Sequence, residues 1–249
     1  MLDPVHLALL ASLVFAAAVL YSMVGHGGAS AFLAAMALFG LAPAVMKPTA
    51  LVLNILVSAV GAVRFARAGR FSWRTYWPFA LTAVPLAYLG GAVTLPDAAY
   101  RRLVGGVLVY AALRLWLRAG GAGTAATRPV PKAAALPLGA GIGFLSGLTG
   151  VGGGIFLSPL LVLARWADVR VTAGVAAVFI LVNSIAGLLG NLASVHALPP
   201  GMPALAAAAL SGGLVGSTLG SRHLPSPALR RLLAVVLAVA AWKLVTTPG

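Results

Sequence analysis

The sequence predicts an all-α membrane protein, a polytopic transmembrane helical bundle of two inverted repeats with short or broken glycine-rich helices. The first observation is composition: 61% of the 249 residues are hydrophobic and only 8% are charged, which no soluble domain of this length shows. The second is that apolar stretches long enough to approach or cross a bilayer recur from one end of the chain to the other. The third is an internal repeat.

The internal repeat is clearest near the end of each half. The stretch LPDAAYRRLVGGVLVYAALRL, which begins at Leu95, matches LPSPALRRLLAVVLAVAAWKL, which begins at Leu224, without a gap. The same offset places Asn54 opposite Asn183, whereas two glycine clusters align with a slightly smaller offset. We therefore expect a longer loop in the second half, around the stretch ARWADVR.

This duplication divides the chain into three parts. We expect a first transmembrane repeat over residues 1–118, a linker over residues 119–132 and a second transmembrane repeat over residues 133–249. The linker is predicted from its Gly-, Ala- and Pro-rich stretch AGGAGTAATRPVPK. The apolar segments cover about residues 5–24, 29–43, 46–66, 75–95 and 100–117 in the first half, and about residues 133–149, 153–164, 171–193, 202–221 and 227–246 in the second.

The segments of each half have recognisable features in order. We expect the first to be a retained helix, because the start Met1-Leu-Asp-Pro carries an acid and no Lys or Arg, the wrong flank for a cleaved signal peptide. The second is short and begins beside a glycine cluster. The third carries an asparagine, the fourth is glycine-rich, and the fifth begins with a Leu-Pro pair. The short second segment decides the topology, because it either crosses the bilayer or returns to the same side.

The basic residues favour crossing by every segment. One side then receives Arg64, Arg67, Arg70, Arg74, Arg114, Arg118, Arg128, Lys132, Arg165, Arg170, Arg222, Arg230 and Arg231. The other side receives only Lys47, Arg101, Arg102 and Lys243. If the short segments returned instead, the division would be nearly even. Since Lys and Arg concentrate on the cytoplasmic side of membrane proteins, we predict an odd number of crossings per half, both termini outside, and repeats of inverted topology.

The remaining composition limits the chemistry. The chain has no cysteine, which excludes disulfides, thiolate metal sites and cysteine nucleophiles. Its only acids, Asp3, Asp97 and Asp168, lie outside or at the edge of an apolar segment, so no carboxylate cage for a cation is expected. The arginines are scattered between apolar segments, so the net charge of +14 indicates anionic lipid rather than nucleic acid. We predict no enzyme, no catalytic residue, no metal and no cofactor.

Two glycine clusters interrupt the apolar pattern at matching places. They are Gly25, His26, Gly27 and Gly28 in the first half, and Gly150, Val151, Gly152, Gly153 and Gly154 in the second. Non-helical backbone inside a bilayer is tolerated where it lines a cavity or packs against protein, and secondary transporters place their substrate at such breaks. Because each cluster precedes a helix, its free amides and the helix dipole would favour an anion. Alternatively, the glycines only allow close helix packing.

Several side chains are candidates to complete this anion site. His26 would contact the substrate or a proton, or else hydrogen-bond a neighbouring helix. The amides of Asn54 and Asn183 would donate to an oxyanion, or else join helices. Lys47 would steer an anion, or else extend to the membrane surface. The predicted substrate-binding residues are therefore His26, the two asparagines and the glycines of both clusters.

The order of these motifs resembles one family of membrane proteins. The segments GHGGASAFLAAMALFGLAP and GLTGVGGGIFLSPLLVLA are each followed by a helix with Ala, Ser and Thr (KPTALVLNILVSAVGAVRF and VTAGVAAVFILVNSIAGLLGNL) and by a glycine-rich fourth helix. This order is similar to that of the sulfite exporter TauE/SafE family of permeases, over residues 8–247. The first cluster departs from the family's Gly-x-Gly-Gly-Gly pattern at Ala29. The resemblance implies a bacterial plasma-membrane carrier of sulfite, sulfonates or related organosulfur anions.

Together these observations predict a secondary transporter that works by alternating access, with one half rocking against the other. The expected partners are a small anionic substrate and the lipid bilayer, without nucleic acid, and the oligomeric state stays open. Two alternatives remain. One is a non-transporting membrane assembly factor or receptor, in which the glycine breaks are structural only. The other is an anion-selective channel.

Overall fold

Every regular element of the described chain is helical, which confirms the all-α prediction. The computed structural model describes residues 3–117, 127–220 and 227–246, so much of the predicted linker and the start of the second Leu-Pro motif lie outside the described residues. The helices are α1 (Pro4–Ser22), α2 (Ala29–Leu38), α3 (Pro43–Arg67), α4 (Trp73–Ala92), α5 (Asp97–Leu117), α6 (Lys132–Thr149), α7 (Gly154–Leu163), α8 (Val169–Gly190), α9 (Met202–Gly220) and α10 (Pro227–Thr246), with a 3-10 helix (Leu192–Ala197) before α9. Each predicted apolar segment corresponds to one helix, although several helices begin before the predicted start.

The local sequence explains where the first two helices begin and end. Asp3 caps α1, because its carboxylate accepts a hydrogen bond from the His6 backbone N–H at 2.7 Å. That bond, together with one from the His6 side chain, lowers the pKa of Asp3. Helix α2 ends at Leu38 instead of near residue 43, because Gly40 takes a left-handed φ of +71°.

The helix lengths indicate a multi-pass membrane protein. Among the described helices, α1, α3, α8 and α9 are long and apolar enough to cross a membrane, with 19, 25, 22 and 19 residues. Helices α2 and α7 have 10 residues each. A helix of that length is about 15 Å long, roughly half of the ~30 Å hydrocarbon core. The prediction that the second segment of each half is short is therefore confirmed, whereas the number of crossings stays a prediction.

Two pairs of helices pack closely, because glycines of one helix lie against the backbone of the other. Each pair contains one helix from each half of the chain. On α6 and α4 the paired residues are Gly139 with Phe79, Gly143 with Ala83 and Gly147 with Ala87; on α9 and α1 they are Gly212 with Phe15, Gly216 with Val19 and Gly220 with Met23. A Cβ atom on any of these glycines would lie within 2.5 Å of the partner's carbonyl oxygen. Residue numbers rise together in both pairs, so the paired helices run parallel.

The central helices α3 and α8 run antiparallel to each other. Their paired residues are Leu51 with Gly187, Asn54 with Ser184 and Gly61 with Ala177. Helix α3 runs parallel to α9, since Val57 faces Gly213 and the Arg64 guanidinium donates to the Leu214 carbonyl at 2.9 Å. Because α1 is also parallel to α9, α1 and α3 point the same way. The chain between them, which contains α2, must therefore return to the side from which α1 began.

Apolar side chains form two main clusters around this centre. The larger cluster joins α1, α2, α5, α9 and α10 with the α3 residues from Met46 to Val57. The second, called here the α4 cluster, joins α4, α6, α7 and α8; its largest members include Tyr76, Phe79, Ile142, Leu157 and Phe179. The larger cluster thus contains α2, and the α4 cluster contains α7.

Candidate functional site

The two glycine clusters come together in the interior. The first break (residues 23–28) separates α1 from α2, and the second break (residues 150–153) separates α6 from α7. Both reach Asn54, near the middle of α3. A Cβ atom at Gly27 would lie 2.2 Å from Asn54 Oδ1, and one at Gly152 would lie 2.4 Å from Asn54 Nδ2. The glycines that were predicted to share a site therefore converge on one buried side chain.

Both breaks use left-handed backbone, which only glycine adopts without strain. The φ angles are +76° at Gly25 and +104° at Gly28 in the first break. In the second break they are +82°, +80° and +81° at Gly150, Gly152 and Gly153. Space and conformation thus both require glycine, because a Cβ atom at these positions would also meet neighbouring atoms at 3.1 Å or less.

Each break leaves backbone N–H groups without an acceptor among the described residues. These amides belong to Gly27, Gly28, Ser30 and Ala31 beside the first break, and to Gly152, Gly153, Gly154 and Ile155 beside the second. They lie at the starts of α2 and α7, where the helix dipole places roughly half a positive charge. Amides of this kind bind anions without a buried cation, so the arrangement has the chemistry of an anion site.

Asn54 joins the two breaks directly. Its Oδ1 accepts from the Ala29 N–H at 3.1 Å, at the start of α2. Its Nδ2 donates to the Val151 carbonyl at 3.2 Å in the second break and to Ser184 Oγ at 3.3 Å on α8. The side chain is fully buried. Asn54 therefore connects α2, α3, the second break and α8 at a single point.

Asn183, unlike Asn54, donates its hydrogen bond within its own helix. It is also fully buried, but its Nδ2 donates to the Phe179 carbonyl at 2.9 Å within its own helix. The side chain that faces both breaks from α8 is Ile180: a Cβ atom at Gly27 would lie 3.0 Å from its Cγ2, and one at Gly152 would lie 2.9 Å from the same atom. Asn54 and Ile180, rather than the two asparagines, thus form the sides of the meeting point.

The contacts of Gly25 and Gly150 show which residues of α3 and α8 correspond to each other. Gly25 lies against the backbone of Ala173 on α8, as Gly150 lies against the backbone of Lys47 on α3. With this spacing, Asn54 corresponds to Ile180. The extra residues of the second half therefore lie mainly between α8 and α9, where the chain forms a 3-10 helix, and not around ARWADVR as the sequence predicts.

His26 lies where the breaks meet. Its ring is half-buried and packs edge-on against Tyr21, with ring centroids 6.2 Å apart. The Tyr21 hydroxyl accepts a hydrogen bond from Ser30 Oγ at 2.9 Å. His26 Cδ2 would be 3.7 Å from a Cβ atom at Gly154, which opens the second helix, α7. The corresponding residue of the second break is the buried, apolar Val151, so only one of the two breaks carries an ionisable group.

Lys47 is buried against the end of α4. It is only 7% exposed, and its ammonium donates to the carbonyl oxygens of Gly91 at 2.8 Å, Val93 at 3.1 Å and Gly90 at 3.4 Å. These carbonyls end α4, where the helix dipole is negative. The lysine therefore caps α4, a role that sequence reasoning missed because the partner carbonyls lie far away along the chain.

No metal site forms in the part of the chain that the structure describes. Groups of three or more His, Asp or Glu side chains able to hold an ion are absent from residues 3–117, 127–220 and 227–246. The polar groups of the site are backbone amides, an amide side chain, hydroxyls and one imidazole, and no carboxylate is among them.

Comparison with known proteins agrees with this geometry. The family model of the sulfite exporter TauE/SafE matches residues 10–244. The chain belongs to this family. A relative from Sinorhizobium fredii, the "Probable membrane transporter protein y4hK", is 43% identical over 234 residues, which cover 92% of this chain and 94% of the relative. No solved structure gives a significant match.

Family membership settles the broad class. This TauE/SafE protein is a multi-pass membrane transporter, consistent with a bacterial inner membrane. The predictions of a membrane location, a permease and a helical membrane bundle are confirmed. The substrate, the individual site residues and the boundaries of the two repeats stay predictions.

Proposed function

We propose that this protein carries a small oxygen-bearing sulfur anion, such as sulfite or a sulfonate, and holds it between the two glycine breaks. The observation that carries the proposal is the set of free backbone amides at the starts of α2 and α7, which face a common neighbour in Asn54. A tetrahedral or pyramidal oxyanion has several acceptor oxygens, so it can bind amides from both breaks at once.

The same arrangement favours a carrier over a channel. Both breaks approach Asn54 so closely that no side chain fits at Gly27 or Gly152, and an anion can reach the amides only when the breaks move apart. A site that closes and opens in this way is typical of alternating access. A channel would instead hold a continuous open path.

We also propose that the two repeats, residues 1–118 and 133–249, have inverted topology. The antiparallel course of α3 and α8 supports this proposal, as does the exchange of partners in which α4 packs on α6 and α9 packs on α1. Because each of these pairs mixes the two halves, the bodies that move are the mixed pairs with their neighbours, and not the two halves of the sequence.

Counterflow in proteoliposomes tests the transport function. Vesicles that hold purified protein and unlabelled sulfite should accumulate labelled sulfite transiently, and sulfoacetate, taurine or sulfate in its place should rank the substrates. With the membrane potential clamped at zero by equal K⁺ concentrations and valinomycin, a carrier still shows counterflow, whereas through a channel the label only equilibrates. Absence of flux with every sulfur anion, in protein that remains monodisperse, would favour the assembly-factor or receptor alternative.

Substitutions at the glycines test the location of the site. Gly27→Val and Gly153→Val should each abolish counterflow, because a branched side chain at Gly27 overlaps Asn54 and one at Gly153 overlaps Phe179 and Ile142. The matched control is Gly141→Ala on α6, since a Cβ atom there meets nothing within 4 Å. Normal counterflow in both valine variants would place the site elsewhere. Size-exclusion profiles would show that the variants are folded.

A further inference from the structure

A second site lies at one end of the bundle, away from the breaks. A cavity of about 470 Å³ opens at the starts of α4 and α6, within the range of small-molecule sites. Its lining includes Arg74, Thr75, Trp77, Arg128, Lys132 and Trp166. The α4 cluster separates it from the transport site, because the Phe79 ring packs 6.0 Å from Trp166 while Phe179 lies against Gly153 of the second break.

The cavity is strongly cationic. Arg74, Arg128 and Lys132 all line it, and no acidic side chain does. The nearest acid in sequence, Asp168, uses its carboxylate to accept the Arg170 and Val171 amides at 2.7 and 2.9 Å, where it caps α8. Helices α4 and α6 run parallel and both begin here, so their positive dipole ends add to the three cations. The cavity therefore attracts a negative group.

Aromatic side chains place the cavity at the membrane surface. The Lys132 ammonium lies 5.2 Å from the centre of the Trp77 ring, a cation–π contact. Trp73, next to the cavity, is 63% exposed. Tryptophan concentrates at the level of lipid headgroups, and this end of the bundle carries the excess of arginine that marks the cytoplasmic side. The negative group can therefore come from a lipid.

The end of the linker forms one wall of the cavity. The Arg128 backbone N–H donates to the Arg165 carbonyl at 2.7 Å, which ties residues 127–131 to the turn between α7 and α8. Arg165 itself takes a left-handed φ of +57°, which is uncommon for a residue with a side chain. The basic wall is thus held in place by backbone geometry, and the linker end is fixed against α4.

The internal repeat does not by itself explain the positive charges of the cavity. The opposite end of the bundle has a matching pair of helix starts, those of α1 and α9, which also run parallel. Residues 3–8 and 200–206 around those starts contain no Lys or Arg. The cluster of three cations therefore lies at one end of the bundle only, the end that carries the arginine excess.

We propose that this cavity binds the phosphate group of an anionic phospholipid from the cytoplasmic leaflet. Arginine binds phosphate oxygens in a bidentate manner, lysine adds a compact charge, and the helix starts supply amides. The bound phosphate bridges the linker end, through Arg128 and Lys132, to α4, through Arg74. The lipid thereby fastens the connection between the two repeats.

Binding of lipid to the purified full-length protein tests this proposal. After delipidation in detergent, the protein should retain phosphatidylglycerol in preference to phosphatidylcholine when intact complexes are weighed by mass spectrometry, and phosphatidylglycerol should raise the Tm. The variant Arg128→Gln/Lys132→Gln should bind phosphatidylglycerol at least about fivefold more weakly, a loss of ~1 kcal/mol. The control Arg67→Gln, which removes an exposed charge at the end of α3 outside the cavity, should bind as the wild type does.

Equal lipid binding by the double variant and the wild type would overturn the proposal. A rise in Tm with inorganic phosphate that equals the rise with phosphatidylglycerol would also overturn it, since the site would then serve a soluble anion. If the double variant is unstable, Arg74→Gln gives the same test, because Arg74 is exposed and its loss leaves the linker contacts intact. These outcomes are independent of counterflow, so they do not depend on the proposed substrate.

Discussion

The two glycine breaks share a backbone design but differ in the side chains around it. Each has left-handed glycines, free amides and a following ten-residue helix. The first break carries His26, and the second carries Val151 at the matching place. Across the meeting point, α3 offers the polar Asn54, whereas α8 offers the apolar Ile180. The two breaks share their backbone conformation, which geometry restricts. Their side chains, which geometry leaves free, differ. In the proposed site, the amides would therefore bind an anion from both sides, while side chains would recognise it from one side only.

The largest expected effect comes from placing a negative charge at Asn54, the polar residue at the meeting point of the breaks. Asn54→Asp keeps the size of the side chain but places a carboxylate beside the proposed anion. Two like charges about 4 Å apart repel by roughly 4 kcal/mol at an effective dielectric constant of 20, so counterflow should fall by ~100-fold or more. The control is Ile180→Val on the apolar side, which should retain most of the activity. Counterflow of Asn54→Asp within a few-fold of the wild type would show that no anion approaches Asn54.

Lys47 gives the next comparison. It lies beside Gly150 of the second break, whereas Ala173 lies beside Gly25 of the first break. Lys47→Met keeps the apolar stem but leaves the carbonyls at the end of α4 without their shared donor. Each buried acceptor that loses its partner costs about 1–3 kcal/mol, so the Tm should fall by roughly 5 °C or more.

The exposed Arg102→Met, with the same change of charge, should alter the Tm little. A wild-type Tm in Lys47→Met would mean that water or another donor reaches these carbonyls. Thermal unfolding of the purified protein, followed by tryptophan fluorescence, measures both.

His26 tests whether the one-sided imidazole couples transport to pH. Histidine changes charge between pH 5 and 8, so wild-type counterflow of a sulfonate such as taurine, which keeps its own charge over that range, should vary by about threefold or more and His26→Ala should flatten the profile. Val151→Ala at the matching place should leave the shape of the profile unchanged. An identical pH profile in the wild type and His26→Ala would assign His26 a structural role only.

The smallest expected effect is at Ser184, which accepts a hydrogen bond from Asn54 at 3.3 Å. Ser184→Ala removes one neutral hydrogen bond, worth about 1 kcal/mol, so the apparent affinity should change by at most about fivefold. Ser211→Ala is a suitable control, because that hydroxyl bonds only within exposed α9. A loss as large as that of Asn54→Asp would show that Ser184 itself contacts the anion.

Much of the fold could be predicted from the sequence, because hydropathy and glycine clusters report directly on helix lengths and breaks. The convergence of Gly27 and Gly152 followed from the repeat. The residue that corresponds to Asn54 in the second half could not be predicted. Helices α3 and α8 are both rich in Ala, Val and Leu, and such a pattern does not fix where an alignment gap between the repeats belongs. The capping role of Lys47 depends on long-range contacts, and Ile180 gives no signal at all, since an apolar residue in an apolar helix is unremarkable. Only packing reveals that it borders the site.

The glycine-to-carbonyl contacts between α4 and α6 bear on how the chain is made. During synthesis α4 emerges and inserts long before Gly139, Gly143 and Gly147 leave the ribosome, so its docking surface waits without a partner. The same delay applies to α1, whose partner α9 is made near the end. Insertion into the bilayer and final assembly are therefore separate stages, and a nascent chain that stops after the first repeat lacks both of the glycine-packed helix pairs.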